Sequence, residues 1–333
     1  MNNLNIKVGT MKYLHTEALF SGTVKIDGAD AGFESSKIVL DIFESMMREH
    51  AFDVSELGLT YYLRTLELDD PPFIAIPVFP ARQFRHSAIF INTESGIKTP
   101  GDLAGKTIGE LALYGHDAGV WPKGILSDDF GVKPEQSHWI IGAPDWYLPP
   151  LDFVRQPHPS NVDVRHVPEG KALGPMLEAG EIDALITAQA PRCALTGSPS
   201  VKRLFPDYED VERDYYRRTG IFPIMHTVVI RKDILAKQPG LAPAVYRAFC
   251  EAKEVAMEKY RKGEVIQHID VMMPWFTPLF TKNRELMGDD WWPYGIEANR
   301  KTLDTFLRYF FEQGLSKRRW LCEDIFVPEL LRT

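Results

Sequence analysis

The chain has 333 residues, of which 44% are hydrophobic and 25% are charged, and its net charge is −8 at pH 7. This length exceeds one ordinary hydrophobic core and predicts two lobes of about 100 to 200 residues each. Because the charge is negative and no long Lys/Arg cluster occurs, we expect neither nucleic acid nor membrane as a partner. A small anion could still bind a local basic pocket.

Cysteine usage and the N-terminal segment favour a cytoplasmic protein. The three cysteines, Cys193, Cys250 and Cys322, are widely spaced and odd in number, which argues against a disulfide framework or a structural zinc site. The first residues show no signal-peptide pattern, and no apolar run reaches the about 18 residues typical of a membrane span. We therefore expect neither export nor a membrane anchor.

The first predicted strand covers residues 4–8, and the polar turn after it contains Tyr13 and His15. Open α/β sheets place ligand-binding loops after strand ends, so both residues are candidates for substrate binding. Ser35 is predicted to cap a helix that runs to about residue 49. In the short strand or turn that follows, Glu56 lies among apolar residues, either as a capping carboxylate or as a proton-handling group.

Residues 73–92, FIAIPVFPARQFRHSAIFIN, combine two apolar runs with three basic side chains. The runs at 73–78 and 88–91 are typical of buried strands, yet Arg82, Arg85 and His86 lie between them. If the segment after Pro80 is extended, Arg82 and His86 share one face with Phe84, an arrangement suited to an anionic aromatic ligand. The alternative is a strand end whose arginines pair with acidic residues.

A further strand is predicted at residues 106–111, followed by the loop and helix LYGHDAGVWPKGIL. Asp117 is a plausible N-cap, with helix from Trp121 to about residue 126. A helix start favours anions, and Lys123 adds a full positive charge to it. The alternative interpretations are an ordinary cap for Asp117 and core packing for Trp121.

The remaining chain continues the α/β pattern to about residue 200, with strands predicted at 137–141, 162–167 and 184–187. Residues 201–220 are interpreted as a polar connector. His226 is the one titratable group in the apolar strand predicted at 224–230, and it is either a satisfied core histidine or a functional one. Helices are predicted at 241–262 and 297–313. The aromatic segments between them could close a subunit interface, which leaves a homo-oligomer open.

Six segments, FPARQFRH, DLAGKTIGE, VWPKGIL, MLEAGEIDALITA, TGIFPIMHTVVIRKDIL and WWPYGIEANRKTLDTFLRYFFEQGLS, resemble the 4,5-dihydroxyphthalate decarboxylase family in the same order, from residue 4 to about 328. The resemblance implies an α/β, two-lobed fold of the type 2 periplasmic-binding-protein class, with a ligand cleft between the lobes. Together with the predicted elements, it places lobe 1 at residues 1–92 and 220–333, and lobe 2 at 93–219.

The resemblance also implies a reaction, the loss of one carboxylate from 4,5-dihydroxyphthalate to give protocatechuate. Deprotonating the hydroxyl para to that carboxylate pushes electrons to the ring carbon, so no electron-sink cofactor is expected. We assign His226 as the base for the phenol, with His86 or Glu56 as the proton donor. The predicted anchors for the carboxylates are Arg82 and Arg85, with Lys123 as a further cation, while Trp121, Tyr13, His15 and Asp117 contact the substrate.

Two loops depart from the family pattern. Members tend to show YDRT where this chain has residues 13–16, including His15, and a threonine and WxRG where it has Asp117 and residues 121–124. A different or less charged aromatic acid therefore stays open as substrate. A divalent metal at His15, Glu56, His86, His116 and Asp117 also stays open, although no HxxxH or HExxH spacing supports one. The rival functions are a solute-binding protein and a cytosolic sensor for an aromatic carboxylate, and neither requires turnover.

Overall fold

The computed structural model describes residues 4–266 and 271–333, which form two compact α/β units. One unit comprises Met1–Arg82, His226–Arg300 and Cys322–Thr333, and the other comprises Gln83–Met225 and Lys301–Leu321. The sequence-based lobe boundaries lie at residues 92 and 220, whereas the chain changes unit after Arg82, Met225, Arg300 and Leu321. The segment Lys301–Leu321, which the sequence placed in lobe 1, thus belongs to the second unit.

The elements follow one another in a regular α/β order. The strands are β1 (Leu4–Gly9), β2 (Ala29–Glu34), β3 (Val54–Gly58), β4 (Phe73–Ile76), β5 (Ile89–Asn92), β6 (Thr107–Leu111), β7 (His138–Gly142), β8 (Asp163–His166), β9 (Ala184–Ile186), β10 (Val201–Arg203) and β11 (His226–Arg231). The α-helices are α1 (Glu17–Phe20), α2 (Val39–Glu49), α3 (Leu59–Thr65), α4 (Asp117–Phe130), α5 (Leu173–Glu178), α6 (Arg192–Leu195), α7 (Tyr208–Thr219), α8 (Lys232–Lys237), α9 (Leu241–Val265), α10 (Phe276–Met287), α11 (Arg300–Glu312) and α12 (Cys322–Ile325). Short 3₁₀ helices cover His86–Ala88, Pro100–Leu103, Pro134–Gln136, Glu297–Asn299 and Pro328–Leu330.

The sheet of the first unit has the strand order β2-β1-β3-β11-β4. β1 is parallel to β2 and β3, whereas β11 is antiparallel to β3 and β4. Every residue of β3 is buried, because the strand lies in the middle of the sheet. A carboxylate in such a strand is unusual, since charged side chains are rarely buried without partners.

The sheet of the second unit has the order β10-β5-β9-β6-β7-β8. β6, β7, β8 and β9 are parallel, and β5 is antiparallel to β9 and β10. The apolar runs at β5, β6 and β9 are those expected of strands that are covered on both faces. Phe90, Leu173, Leu177 and Leu185 form part of the hydrophobic core on this sheet.

The buried helix α4 is positioned by an ion pair and a glycine. Lys123 Nζ lies 2.7 Å from both carboxylate oxygens of Glu110 on β6. A Cβ at Gly124 would lie 2.2 Å from the Tyr309 ring, so only glycine allows that ring to approach. The N-cap is His116, whose Nδ1 accepts a hydrogen bond from the Ala118 amide at 3.1 Å. The expectation that Asp117 is the N-cap is therefore wrong, because Asp117 already belongs to the first turn.

Three other local predictions are wrong. Helix α2 begins at Val39 with Ile38 as N-cap, so Ser35 does not cap it. The presumed connector at 201–220 forms β10 and α7, and α7 carries the (i, i+4) ion pairs Glu209–Arg213 and Asp214–Arg218, which favour a helix in a polar sequence. The segment after Pro80 is not extended throughout, because His86 starts a 3₁₀ helix.

No helix in the described ranges has the length and apolar character needed to cross a bilayer.

Candidate functional site

The first unit contains a buried carboxylate and an imidazole in direct contact. His226 Nδ1 lies 2.6 Å from Glu56 Oε1. Glu56 is opposite Val228 in the antiparallel register of β3 and β11, so His226, two residues before Val228, is its diagonal neighbour on the same face. The register of the two strands therefore creates this pair.

The loop after β1 supplies three more donors to Glu56. Thr10 Oγ1 and the Met11 amide donate to Oε2 at 2.8 Å and 3.0 Å, and the Tyr13 hydroxyl donates to Oε1 at 2.8 Å. β1 is parallel to β3, so this loop leaves the sheet at the edge where Glu56 lies. We call Thr10, Met11, Tyr13, Glu56 and His226 the Glu56 cluster.

These contacts keep Glu56 ionised despite its burial. Burial by itself would raise the pKa of this carboxyl, but the hydrogen bond and charge of His226, with the hydrogen bonds from Met11 and Tyr13, bring the pKa below its ordinary value. Burial and the Glu56 charge both raise the pKa of Tyr13, so this phenol keeps its proton and donates. Both Glu56 oxygens are thus acceptors.

An ionised Glu56 fixes the proton of His226 on Nδ1, because a carboxylate can only accept. In the neutral imidazole, Nε2 of the same ring then carries the lone pair. The ring is packed edge-on against Phe43, with centroids 5.1 Å apart, and the residue is 9% exposed. A carboxylate that orients a histidine in this way produces a directed general base.

Two other predicted substrate contacts lie in this unit. His15 stacks on Tyr13 and donates from Nε2 to the Pro80 carbonyl at 2.9 Å. The guanidinium of Arg82 is buried, and its Nη2 donates to the Pro293 carbonyl at 2.6 Å and to Asn299 Oδ1. Arg82 therefore holds the loop of Pro293 in place, and its role as a carboxylate anchor stays a prediction.

In the second unit, Arg85 is a buried cation with unused donors. Nη2 contacts Met225 Sδ at 2.6 Å, while Nε and Nη1 are buried and have no hydrogen-bond partner among the residues that the structure describes. Burial lowers its pKa to about 10, although the charges of Asp117 and Glu212 oppose that change. The group is therefore positive at neutral pH and suits a carboxylate, which can accept two N–H bonds.

His86 lies next to Arg85 in the chain but in an aromatic environment. Its ring contacts Phe205 and Tyr215 at centroid distances of 5.3 Å and 5.2 Å, and Nδ1 is buried with no hydrogen-bond partner in the described ranges. Burial lowers the pKa of His86 to about 4, so the imidazole is neutral near pH 7. The extended conformation considered for this segment does not hold at His86, which begins a 3₁₀ helix and is buried.

The three predicted contacts on α4 are buried inside the second unit. Lys123 is paired with Glu110 and lies over the Tyr114 and Trp139 rings, at 3.9 Å and 4.7 Å from their centroids. Trp121 donates from Nε1 to the Ile224 carbonyl at 2.7 Å, and Asp117 is fully buried. Lys123 thus already has a carboxylate partner, and a role in substrate binding stays a prediction.

The structure therefore brings Tyr13, His15, Glu56 and His226 together in one unit, and Arg85 near Asp117 in the other. Sequence reasoning missed Thr10 and Met11 as donors to Glu56, although both follow the end of the first predicted strand. It also missed Asn299, which no local signal marks. Within residues 4–266 and 271–333, no group of three or more His, Cys, Asp or Glu side chains is arranged to hold a metal ion.

Comparison with known proteins gives two similar enzymes. The chain is 34% identical over 335 residues to a 4,5-dihydroxyphthalate decarboxylase of Comamonas testosteroni, an alignment that covers 100% of this chain and 99% of that protein. It is 36% identical over 217 residues to a protein of the same name from Pseudomonas putida, covering 65% of this chain and 83% of that one. No protein-family profile matches the chain.

Solved structures establish the fold. The periplasmic aliphatic sulphonate binding protein SsuA of Escherichia coli aligns with a TM-score of 0.53 at 12% identity, over 97% of this chain and 92% of that one. A putative periplasmic sulfonate-binding protein SsuA of Methylobacillus flagellatus aligns with a TM-score of 0.54 at 13% identity, and the alignment covers 99% of this chain and 93% of that one. The chain thus has the two-lobed α/β fold of periplasmic binding proteins, which confirms the predicted fold class.

Proposed function

Because the chain belongs to the 4,5-dihydroxyphthalate decarboxylase family, we propose that it releases carbon dioxide from a hydroxylated aromatic dicarboxylic acid, with 4,5-dihydroxyphthalate or a close analogue as substrate. The structural observation that supports this function is the hydrogen bond of 2.6 Å between Glu56 Oε1 and His226 Nδ1, which leaves Nε2 of His226 as the base. A binding protein needs no such directed base.

The reaction begins at the hydroxyl para to the departing carboxylate. His226 Nε2 removes the hydroxyl proton, and the electron pair of the phenolate moves through the ring to the carbon that bears the carboxylate. That carbon takes a proton, and the carbon–carbon bond then breaks. Its electron pair returns to the ring, which restores the phenolate and releases carbon dioxide. The phenolate regains its proton from His226, so one proton is consumed in each turnover.

Glu56 is a positioning residue in this mechanism. Its two oxygens accept hydrogen bonds from Thr10, Met11, Tyr13 and His226, so the ionised carboxyl has no proton to give to the ring carbon. The alternative donor, His86, carries the extra proton only rarely near pH 7, because its pKa is about 4. The geometry thus favours Glu56 as the group that orients His226, and it leaves the donor to be identified by mutation.

We assign carboxylate binding first to Arg85. Its Nε and Nη1 are buried donors without a partner in the described part of the chain, which is the property expected of a site that receives an anion. Arg82 has Asn299 and Pro293 as partners and is the second candidate.

We also propose a cytoplasmic location and a small-molecule partner, an aromatic carboxylate. Cys193 and Cys250 are free thiols, as in proteins of reducing compartments. Cell fractionation against cytoplasmic and periplasmic marker enzymes tests the location, and recovery with the periplasmic marker would contradict it.

The deciding experiment measures carbon dioxide release and the ultraviolet change with 4,5-dihydroxyphthalate and a panel of hydroxylated aromatic acids, with and without a chelator. We expect turnover of at least one acid, its loss in His226→Ala, and its retention in His158→Ala, which changes an exposed histidine. The chelator arm reports whether a metal is required. Binding without turnover across the panel would contradict the decarboxylase and favour a solute-binding or sensor function.

A further inference from the structure

His15 is held beside the Glu56 cluster by two aromatic neighbours. Its ring is stacked on Tyr13, with centroids 5.0 Å apart and planes 7° from parallel, and it contacts Trp292 at 5.3 Å. Trp292 is itself fixed by a hydrogen bond of 2.8 Å from Nε1 to the Phe79 carbonyl. Since the Tyr13 hydroxyl is bound to Glu56, the His15 ring has a defined position close to the carboxylate that orients His226.

The hydrogen bond to Pro80 decides which nitrogen of His15 is protonated. A carbonyl oxygen can only accept, so Nε2 carries the proton and Nδ1 carries the lone pair. Burial lowers the pKa of this ring and so favours the neutral form. Within the described part of the chain, no hydrogen bond engages Nδ1, and the residue is only partly buried. His15 therefore presents a neutral acceptor at Nδ1 on a side chain that is only partly buried.

We propose that His15 is a specificity residue that accepts, at Nδ1, a hydrogen bond from the second hydroxyl of an ortho-dihydroxylated aromatic acid. This inference rests on the proposed function, in which His226 takes the first hydroxyl. A hydroxyl has a proton to donate to Nδ1, whereas a carboxylate has none and would face a lone pair. The two imidazoles thus make the site selective for a catechol over a single phenol.

The affinities for a dihydroxylated and a monohydroxylated aromatic acid are expected to differ by the contribution of one hydrogen bond between neutral groups. Such a bond changes affinity by about tenfold, and a ligand without the second hydroxyl leaves the acceptor of His15 unsatisfied. The preference is therefore measurable in binding alone, without any chemical step.

Calorimetric titration of the wild-type protein, His15→Phe and His15→Asn with 3,4-dihydroxybenzoate and with 4-hydroxybenzoate tests the proposal. We expect the wild-type protein to bind the dihydroxy acid about tenfold more tightly. His15→Phe should bind the two acids about equally, because its ring stacks but cannot accept. His15→Asn should retain a preference, because its amide oxygen can take the place of Nδ1.

Equal affinities in the wild-type protein, no binding of either acid, or an unchanged preference in His15→Phe would each overturn the proposal. Because the titration requires no turnover, its result is separate from that of the activity panel. If the protein decarboxylates a panel acid but binds 3,4-dihydroxybenzoate and 4-hydroxybenzoate equally, the proposed function is supported and the role of His15 is contradicted. A catechol preference without decarboxylation would keep the role of His15 and reject the enzyme.

Discussion

At the scale of single residues, the contacts of Glu56 explain what His226 can do. Four donors surround the carboxylate, so it stays ionised and holds the imidazole proton on Nδ1. A lone buried histidine in an apolar strand is ambiguous in the sequence, because most such residues are merely satisfied core groups. The partner on the neighbouring strand removes that ambiguity, since it gives the ring one defined tautomer.

Replacing Glu56 with Gln tests the positioning role. The amide cannot hold the His226 proton as a carboxylate does, so we expect kcat to fall by about 10² to 10⁴ while KM changes little. Glu56→Asp should recover part of kcat, because it restores the charge. A double variant with His226→Ala should be no slower than His226→Ala alone. Equal losses of kcat in Glu56→Gln and Glu56→Asp would contradict the positioning role of Glu56. A change confined to KM would contradict it as well.

The unused donors of Arg85 lead to a second prediction. In Arg85→Met the carboxylate loses a charged hydrogen-bond partner, which is typically worth about 1.5 to 3 kcal/mol, so kcat/KM should fall by about 10- to 150-fold. The loss should lie mainly in KM. Steady-state kinetics with Arg48→Met as the matched control, an arginine on α2 that pairs with Glu44, provides the comparison. An unchanged KM in Arg85→Met would remove Arg85 from the site.

At the scale of elements, helix α4 shows how a charge that suggests ligand binding can serve packing. Lys123 and Glu110 are 1% and 0% exposed at their side chains, and their ion pair fixes α4 on β6. The sequence shows a cation close to a predicted helix start, which resembles an anion site. The buried partner becomes apparent only when β6 and α4 are packed together.

Lys123→Met tests the two roles of this residue. The variant leaves the buried Glu110 carboxylate without its cation, so we expect a loss of about 3 to 5 kcal/mol in the free energy of unfolding. Adding Glu110→Leu should restore part of that stability. If the pair is structural, KM of the folded variant stays within about twofold of wild type, as for residues outside the substrate site. A large rise in KM with unchanged stability would instead support the predicted substrate contact.

At the scale of the whole molecule, His86 links folding to pH. Its pKa in the folded protein is about 4, compared with an ordinary value of 6.5, because burial disfavours the charged ring. Below pH 6.5 the unfolded chain therefore binds a proton at this position that the folded protein does not bind. The contribution of His86 to stability is complete above pH 6.5 and is lost progressively as the pH falls toward 4.

We expect this group to remove about 2 kcal/mol of stability between pH 7 and pH 5. In His86→Phe, which keeps an aromatic ring against Phe205 and Tyr215, that part of the pH dependence should disappear. Urea unfolding of wild type, His86→Phe and the control His158→Gln at both pH values measures it. If wild type and His86→Phe lose the same amount of unfolding free energy between pH 7 and pH 5, the pH dependence does not come from His86. The kcat of His86→Phe also tests His86 as a proton donor, because phenylalanine has no proton to give and a donor role would require a large loss of kcat.

The alternation of strands and helices could be predicted from the sequence because it depends on neighbouring residues. The apolar runs of β4, β5, β6 and β11 are local patterns. The wrong predictions at Ser35 and at residues 201–220 concern a helix boundary and a polar helix. The family resemblance likewise depends on segments that are continuous in the chain. Fold class and reaction class were therefore accessible without coordinates.

The roles of individual charged residues were decided by the tertiary structure. Glu56 is 46 residues from Thr10 and 170 residues from His226, yet it is hydrogen-bonded to both. The sequence by itself determined that Arg85, Lys123 and His226 lie among apolar elements. Only the packing decided that Lys123 is paired, that Arg85 keeps unused donors and that His226 has an orienting carboxylate. The reason is physical: periodicity is set by adjacent residues, whereas ion pairs and pKa values depend on residues that folding brings together.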